Sequence, residues 1–468
     1  MKSIVRALAA MLCLALVVVM AACGPDVSDP KETTIPATTL QPLDAREKYD
    51  LATAEVTAAK NLQLRYTRTE IRSVGQATYT RSVAGTASYA AINSKDMEAV
   101  VEEQLTYGTY KSAYKEVYCD GAPYVQVQGS AFTSQQTPQE FLARQLPAVL
   151  LQQELYRSVT ESAAADGNTR LTFADATAAE GWLALPKKAS LISAGGTVLL
   201  NNQGSLVQSD YQLEYQQGTT RYSLTISVQV AMPKSLDLGA IHSEHFHGCP
   251  HIVMLDAPKL LLQVVGDIYA AGTFRCEATE KVFSEAVPMT YKQKSVFSLQ
   301  GSLDKMTANA QYTISISDYR GEMERQSREE SYRDGIYTTV ADGSTKETVI
   351  TAEAMRQYYE DAILSALLAP TFMSNASFWT GASQLHLNLS GNQSFAKALL
   401  EEIGKLLQVE LASDEIKIRP DGIGGYIAIN RDTDLPEEMG LFLSCTHTVG
   451  GISYNFTYNL DQKITLSK

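Results

Sequence analysis

Apolar residues enter this chain in three rhythms. From Ala7 to Met20 they form one unbroken run without a charge. Residues 24–42 then place Pro25, Pro30, Pro36 and Pro42 among Ser, Thr and Asp; with almost nothing to bury, this stretch reads as a tether. Beyond it, apolar positions either alternate with polar ones or recur once per helical turn. Alternation predicts strands at 107–117, 124–128, 197–200, 211–215, 222–230, 310–317 and 454–459. Turn-by-turn recurrence predicts amphipathic helices over 138–158, 352–368 and 393–409. Met355, Tyr359, Ile363 and Leu367 make one such stripe, and Phe395, Leu399, Ile403 and Leu406 another. Asp44 and Asp256 each open a further helix, running to about Asn61 and Gly272; the second also has Pro258 in its first turn and a closing glycine.

The pattern occurs twice. The run Leu64-Arg-Tyr-Thr-Arg-Thr-Glu70 returns as Phe274-Arg-Cys-Glu-Ala-Thr-Glu280, offset by 210 residues. Glu116-Val-Tyr-Cys-Asp-Gly121 returns as Glu330-Ser-Tyr-Arg-Asp-Gly335, offset by 214, and Asp-Gly between Tyr- and Val-rich runs signals a hairpin. Thr137 and Thr351 cap a helix in each half. Leu200-Asn201 and Ile429-Asn430 stand at matching distances before Leu206 and Leu435. Five landmarks in one order argue for an internal duplication.

The first rhythm has its own meaning. Lys2 and Arg6 precede the apolar run, and Met20-Ala-Ala-Cys23 closes it with small residues before a cysteine. A positive start, an apolar core and small residues before the cut describe a secretory leader. The cysteine after the cut makes it look like a bacterial lipobox, with Cys23 lipidated and anchored to the cytoplasmic membrane. Later apolar stretches fall short of the ~18 residues a membrane helix needs. The expected organisation is a leader over 1–22, lipidated Cys23 and tether to 43, a first domain over 44–233, a linker over 234–255 and a second domain over 256–468. Consecutive hairpin strands with segregated helices make the fold class α+β: two tandem curved antiparallel sheets, or half-barrels, each covered by helices.

That element order behind a lipobox resembles the LolA/LppX–LprG superfamily of half-barrels wrapped around an apolar cavity. The resemblance implies carriage of a lipid, an acyl chain or an acylated partner, and it transfers no site residue because none stands in a fixed motif. A formal charge of −13, more acidic still once Lys2 and Arg6 leave with the leader, argues against nucleic acid as a partner.

One cluster has ligand chemistry. Four of the six histidines fall within His242-Ser-Glu-His245-Phe-His247-Gly-Cys249-Pro-His251. His and Cys in this density suit zinc, copper or nickel. An extended chain would spread His245, His247, Cys249 and His251 over about 20 Å, so Gly248 and Pro250 would have to bend it for one ion to gather three ligands. A plain His-rich linker and a pH-sensitive hinge remain alternatives. Cys119, Cys249, Cys276 and Cys445 are widely scattered, with no CxxC spacing, and permit three disulfide pairings.

Catalytic signatures are poor. Ser112…Lys115 and Ser302…Lys305 match SxxK without its companion motifs, and no GxSxG occurs. Gly422-Ile-Gly-Gly425 reads as a hairpin loop rather than a phosphate cradle. His386 and His447 would indicate an enzyme only beside a buried Ser or Cys and a carboxylate. The resemblance therefore implies first a non-catalytic carrier of a hydrophobic ligand, with a cavity of several hundred Å³ lined by aliphatic side chains and few polar groups. The second reading is an envelope interaction or sensor module with filled cores.

Overall fold

The computed structural model of the chain describes residues 43–75, 77–92, 94–108, 110–127, 130–145, 151–177, 189–239, 241, 246, 248–249, 251–252, 257–271, 273–286, 289–300, 305–363, 373–380, 383–391, 393–407 and 415–467. The leader, Cys23 and the tether lie outside these residues. Among the described residues, no helix is long and apolar enough to cross a membrane.

Eleven strands build a first sheet: β1 (Leu62–Val74), β2 (Ala77–Ala90), β3 (Glu98–Tyr107), β4 (Tyr110–Cys119), β5 (Ala122–Val127), β6 (Ser130–Thr133), β7 (Tyr156–Ala163), β8 (Thr169–Ala176), β9 (Ser190–Leu200), β10 (Leu206–Gln217) and β11 (Thr220–Ala231). Eleven more build a second: β12 (Thr273–Ser284), β13 (Met289–Gln300), β14 (Thr307–Asp318), β15 (Gly321–Arg333), β16 (Ile336–Ala341), β17 (Ser344–Val349), β18 (Met373–Thr380), β19 (Gln384–Gly391), β20 (Glu415–Asn430), β21 (Pro436–Val449) and β22 (Ile452–Ser467). The first sheet runs β6-β5-β4-β3-β2-β1-β11-β10-β9-β8-β7, and the second repeats that order eleven strands later. Both are open antiparallel sheets, and in each the first strand pairs with the last to join the two meanders. Alternation decides which side faces inward. Along β11, Tyr222, Leu224, Ile226, Val228 and Val230 are buried, while most residues between them remain accessible.

The local signals act where they stand. Asp44 accepts from the Arg46 and Glu47 amides at the head of α1 (Ala45–Ala58), and Glu47 returns a bond to the Asp44 amide, a reciprocal cap. Asp120-Gly121 and Asp334-Gly335 both turn with two consecutive positive φ angles (50° and 77°, 50° and 81°), the twist a two-residue hairpin needs. Asn201 Oδ1 accepts from the amides of Gln203 and Ser205, and Asn430 Oδ1 from those of Asp432 and Thr433, so the matched asparagines close the β9–β10 and β20–β21 connections. Thr137 and Thr351 cap α2 (Pro138–Gln145) and α4 (Ala352–Ile363).

Three expectations change. Of the helix expected over 138–158, Pro138–Gln145 forms α2, while Tyr156 to Ser158 belong to β7; the β-branched Val159 and Thr160 favour the strand. The strand expected from Tyr107 is cut by Gly108 at φ 56°, which separates β3 from β4. Gly422 to Gly425 form no hairpin but lie inside β20, beside a break in register against β21. A Cβ on Gly424 would meet the Leu389 carbonyl at 2.6 Å, so these glycines serve close strand approach rather than a turn.

The largest departure concerns α3 (Ala257–Ala270). Apart from a polar stripe of Lys259, Gln263 and Asp267 it is apolar, and it lies against β2, β3, β4 and β5 of the first sheet while Leu261, Leu262, Val264 and Ile268 join the core of the second. Gly266 makes the close approach feasible: a Cβ there would sit 2.4 Å from the Tyr107 ring. Asp44–Lys468 accordingly cluster as one unit. The core of the second sheet is completed by Met355 of α4 and by Leu399, Leu400 and Ile403 of α5 (Gln393–Leu407).

Charges lock this arrangement. Asp267 of α3, 1% exposed, receives Arg72 Nη2 at 3.0 Å and Arg81 Nη2 at 2.9 Å. Arg72 Nη1 also donates to the Asp434 carbonyl at 2.6 Å, and Arg81 reaches Glu70 at 3.1 Å and Asp434 at 3.4 Å. Burial pulls the Arg81 guanidinium down, but Asp267, Asp434 and Glu70 outweigh it and hold the group well above its ordinary value. Asp434, at φ 55° on the β20–β21 turn, thus faces two arginines of the first sheet.

An Asp267→Ala substitution leaves two buried guanidiniums short of a partner and is expected to cost about 3–5 kcal/mol. Glu277→Ala, which removes an exposed partner of Arg275, is expected to cost about 0–1 kcal/mol. Urea denaturation at neutral pH measures both; equal losses would show that the network does not tie α3 to the first sheet.

Candidate functional site

A cavity of about 570 Å³ opens between the inner face of the first sheet and α3. Strand parity creates it. Leu64, Tyr66, Arg68 and Glu70 of β1 share one face, as do Arg81, Val83, Ala87 and Tyr89 of β2, Glu103, Leu105 and Tyr107 of β3, and Ile226 and Val228 of β11. Arg144 of α2, Lys259, Leu260 and Gln263 of α3, and Leu385 of β19 close it. Small residues leave the room: Ala87 projects little, and at Gly85 a Cβ would strike the Tyr66 ring at 2.5 Å. The size falls within the ~300–1,000 Å³ typical of small-molecule sites.

The lining is not the nearly pure aliphatic surface expected of a carrier. Aliphatic and aromatic side chains form most of the wall, but seven of its residues are charged or amide-bearing. Most of these have partners. Tyr66 Oη donates to Glu103 Oε1 at 2.7 Å, and Lys259 pairs with the other Glu103 oxygen while lying over the Tyr114 ring at 4.9 Å. Arg144 pairs with the fully buried Glu116, which also accepts from Tyr114 Oη at 3.1 Å. Arg68, exposed, reaches Glu70 at 3.5 Å. With its amide oxygen turned toward Arg81, Gln263 accepts at 2.7 Å and 3.0 Å. Burial pushes the Tyr66 hydroxyl far above its ordinary value, and the Glu103 charge adds to that, so it stays protonated and donating.

None of these residues stood out as a site from sequence, although one signal was present. On β1 the apolar phase Leu62, Leu64, Tyr66 continues as Arg68, Glu70, Arg72, and on β3 Glu103 interrupts Ala99, Val101, Leu105 and Tyr107. Charges in core phase mark an interior that is not simply oil.

The candidate ligands for a metal are divided. His242, His245 and His247 lie outside the described residues, as does Cys23. Cys249 is half-buried beside Phe246, which stacks on Tyr124 at 4.5 Å and 14°. His251 is exposed and bridges Thr133, where the Ile252 amide bonds the Thr133 carbonyl at 2.8 Å. The described part of the segment therefore packs along the β4–β6 edge of the first sheet. Among the described residues, no group of three or more His, Cys, Asp or Glu is placed to hold a metal ion.

Four cysteines are free thiols. Cys276 pairs with Ile464 and Cys445 with Phe456, positions on β22 separated by roughly 26 Å of strand, far beyond the ~7 Å limit for a disulfide. His447 is fully buried beside Tyr454 and Phe456, with ring centroids at 6.0 Å and 6.2 Å.

No protein-family model matches the chain, and no curated protein matches it. Solved structures similar to it include LprF from Mycobacterium bovis, 10% identical over 47% of this chain and 94% of that one with a TM-score of 0.26. MucB in complex with MucA(peri) is 14% identical over 65% and 92%, with a TM-score of 0.16. A DUF1329 family protein from Desulfovibrio piger is 12% identical over 43% and 97%, with a TM-score of 0.18. At these identities and scores the likeness says nothing of ligand or activity.

Burial pushes the Cys276 thiol up to about 12 and those of Cys119 and Cys445 to about 11, from 9.0. Their folded-state values are raised, so the stability gained by keeping them protonated is full below about pH 9 and is lost as pH rises toward 12. Iodoacetamide at pH 8 is expected to alkylate half-exposed Cys249 before the other three. The fall in denaturation midpoint above pH 9 should be shallower in Cys276→Ala. Equal alkylation rates for all four would contradict this burial.

Proposed function

We propose that this chain is an extracytoplasmic lipoprotein, anchored to the cytoplasmic membrane through Cys23, that holds an amphipathic ligand beneath its first sheet without transforming it. The carrying observation is the cavity of about 570 Å³, with its aliphatic walls, its ion-paired rim and its closure by α3. On this reading the first domain, 44–233, forms a curved half-barrel covered by α1, α2 and the incoming α3. The second domain, 256–468, supplies the closing wall, and 234–255 is the connection. The His242–His251 cluster remains a candidate zinc site within that connection. A soluble carrier needs an apolar hollow that water leaves readily, together with a polar end that orients its cargo; the strand parity of β1, β2, β3 and β11 supplies both.

A second reading, an envelope interaction module, is favoured by one feature. All six residues of the edge strand β17 are exposed, and Val349 is 88% accessible, which leaves that edge of the second sheet available for strand addition.

Native mass spectrometry of the full-length protein, extracted in mild detergent, separates the two. The carrier reading expects an adduct of several hundred daltons that organic solvent removes and that Val228→Trp, by filling the hollow, abolishes. A bare polypeptide mass in both proteins would favour the interaction module. A zinc-mass adduct lost only to chelator would assign the histidine cluster to metal.

A further inference from the structure

The polar end of the cavity carries information beyond its size. Tyr89 is fully buried, its ring set edge-on to Phe141 at 6.5 Å, and it lines the cavity. Its hydroxyl has no hydrogen-bond partner among the described residues. A buried hydroxyl left unpaired costs free energy that an incoming acceptor would recover. The nearby carboxylates are engaged: Glu103 holds Tyr66 and Lys259, and Glu116 holds Arg144 and Tyr114. Arg144 lies over the same Phe141 ring at 5.4 Å, which brings its guanidinium to the Tyr89 end of the cavity. This end of the hollow therefore offers a donor hydroxyl without an acceptor, and Leu64, Val83, Leu105, Ile226 and Val228 line the cavity between it and the charged Glu70–Arg81 row.

We propose that the cavity selects a single-chain amphiphile with an anionic, acceptor-only head, seated with the head at Tyr89 and Arg144 and the chain along Leu64, Val83, Leu105, Ile226 and Val228. The inference rests on the carrier reading and names its ligand class. A fatty carboxylate fits: its oxygens accept from Tyr89, and its chain displaces no charge. A cationic head of the same chain length would offer the Tyr89 hydroxyl no acceptor.

The test incubates delipidated full-length protein with equimolar palmitate and hexadecyltrimethylammonium and counts both adducts by native mass spectrometry. Palmitate is expected to be favoured by about tenfold or more, the scale of one hydrogen bond to a charged group. Tyr89→Phe should lower palmitate binding by about tenfold and leave the ammonium unchanged. Because the hydroxyl has no partner among the described residues, Tyr89→Phe should melt no lower than the parent. Equal occupancy by the two lipids, both lost in Val228→Trp, would overturn the head-group assignment and leave the carrier reading standing. A lowered melting temperature in Tyr89→Phe would also overturn the assignment, by showing that the hydroxyl has a structural partner. Binding of neither lipid would overturn the carrier reading and this inference together.

Discussion

Two arginines of the first sheet, Arg72 and Arg81, meet Asp267 of α3 and Asp434 of the β20–β21 turn in a buried network. The cavity depends on this contact. Burying charges returns little net stability compared with apolar packing, but removing one partner is severe. The consequence is placement: α3 has to meet the first sheet where both guanidiniums find their carboxylates. Tyr107 against Gly266 then sets how close the helix comes. Lys259, Leu260 and Gln263 are carried along to form the far wall of the hollow.

The two sheets share one strand order and have unlike interiors. The inward positions Leu64, Tyr66, Arg68 and Glu70 of β1 correspond to Phe274, Cys276, Ala278 and Glu280 of β12. In the second sheet this face is filled by Phe274, Cys276, Phe297, Leu299 and the helices α3, α4 and α5. In the first, charged residues continue the apolar phase, and the small side chains at Gly85 and Ala87 leave volume beside them. Glu116 and Glu330, matched landmarks on β4 and β15, are both buried beneath tyrosine hydroxyls and an arginine. The repeat therefore keeps a buried acid in each half, and in the first half a cavity opens around the polar groups.

On the proposed carrier reading, a hollow of this composition suits cargo with two ends. Hydrocarbon walls give attraction roughly in proportion to the apolar area covered. Paired charges at the rim avoid the large penalty of isolated buried ions. The Tyr89 hydroxyl supplies direction without adding charge.

Much of the fold was legible because its causes are local. Asp-Gly turns, the Asx connections at Asn201 and Asn430, the threonine caps and the alternation of β11 depend on a few neighbouring residues. The order of those signals already showed a duplicated antiparallel design. Where the sequence misled, distant contacts decided. Gly422 to Gly425 look like a loop until β19 and β21 close on both sides. The site was hidden for the same reason. The charges in core phase on β1 and β3 were visible, but a core-phase charge acquires meaning only from its partner, and Arg72 and Arg81 find theirs 186 to 362 residues away. The sequence by itself determined the elements, their turns and their repetition, because those are short-range properties of the backbone. The tertiary structure alone decided that α3 crosses to the first sheet and encloses a cavity, because that follows from charge pairing and close packing between residues the chain holds far apart.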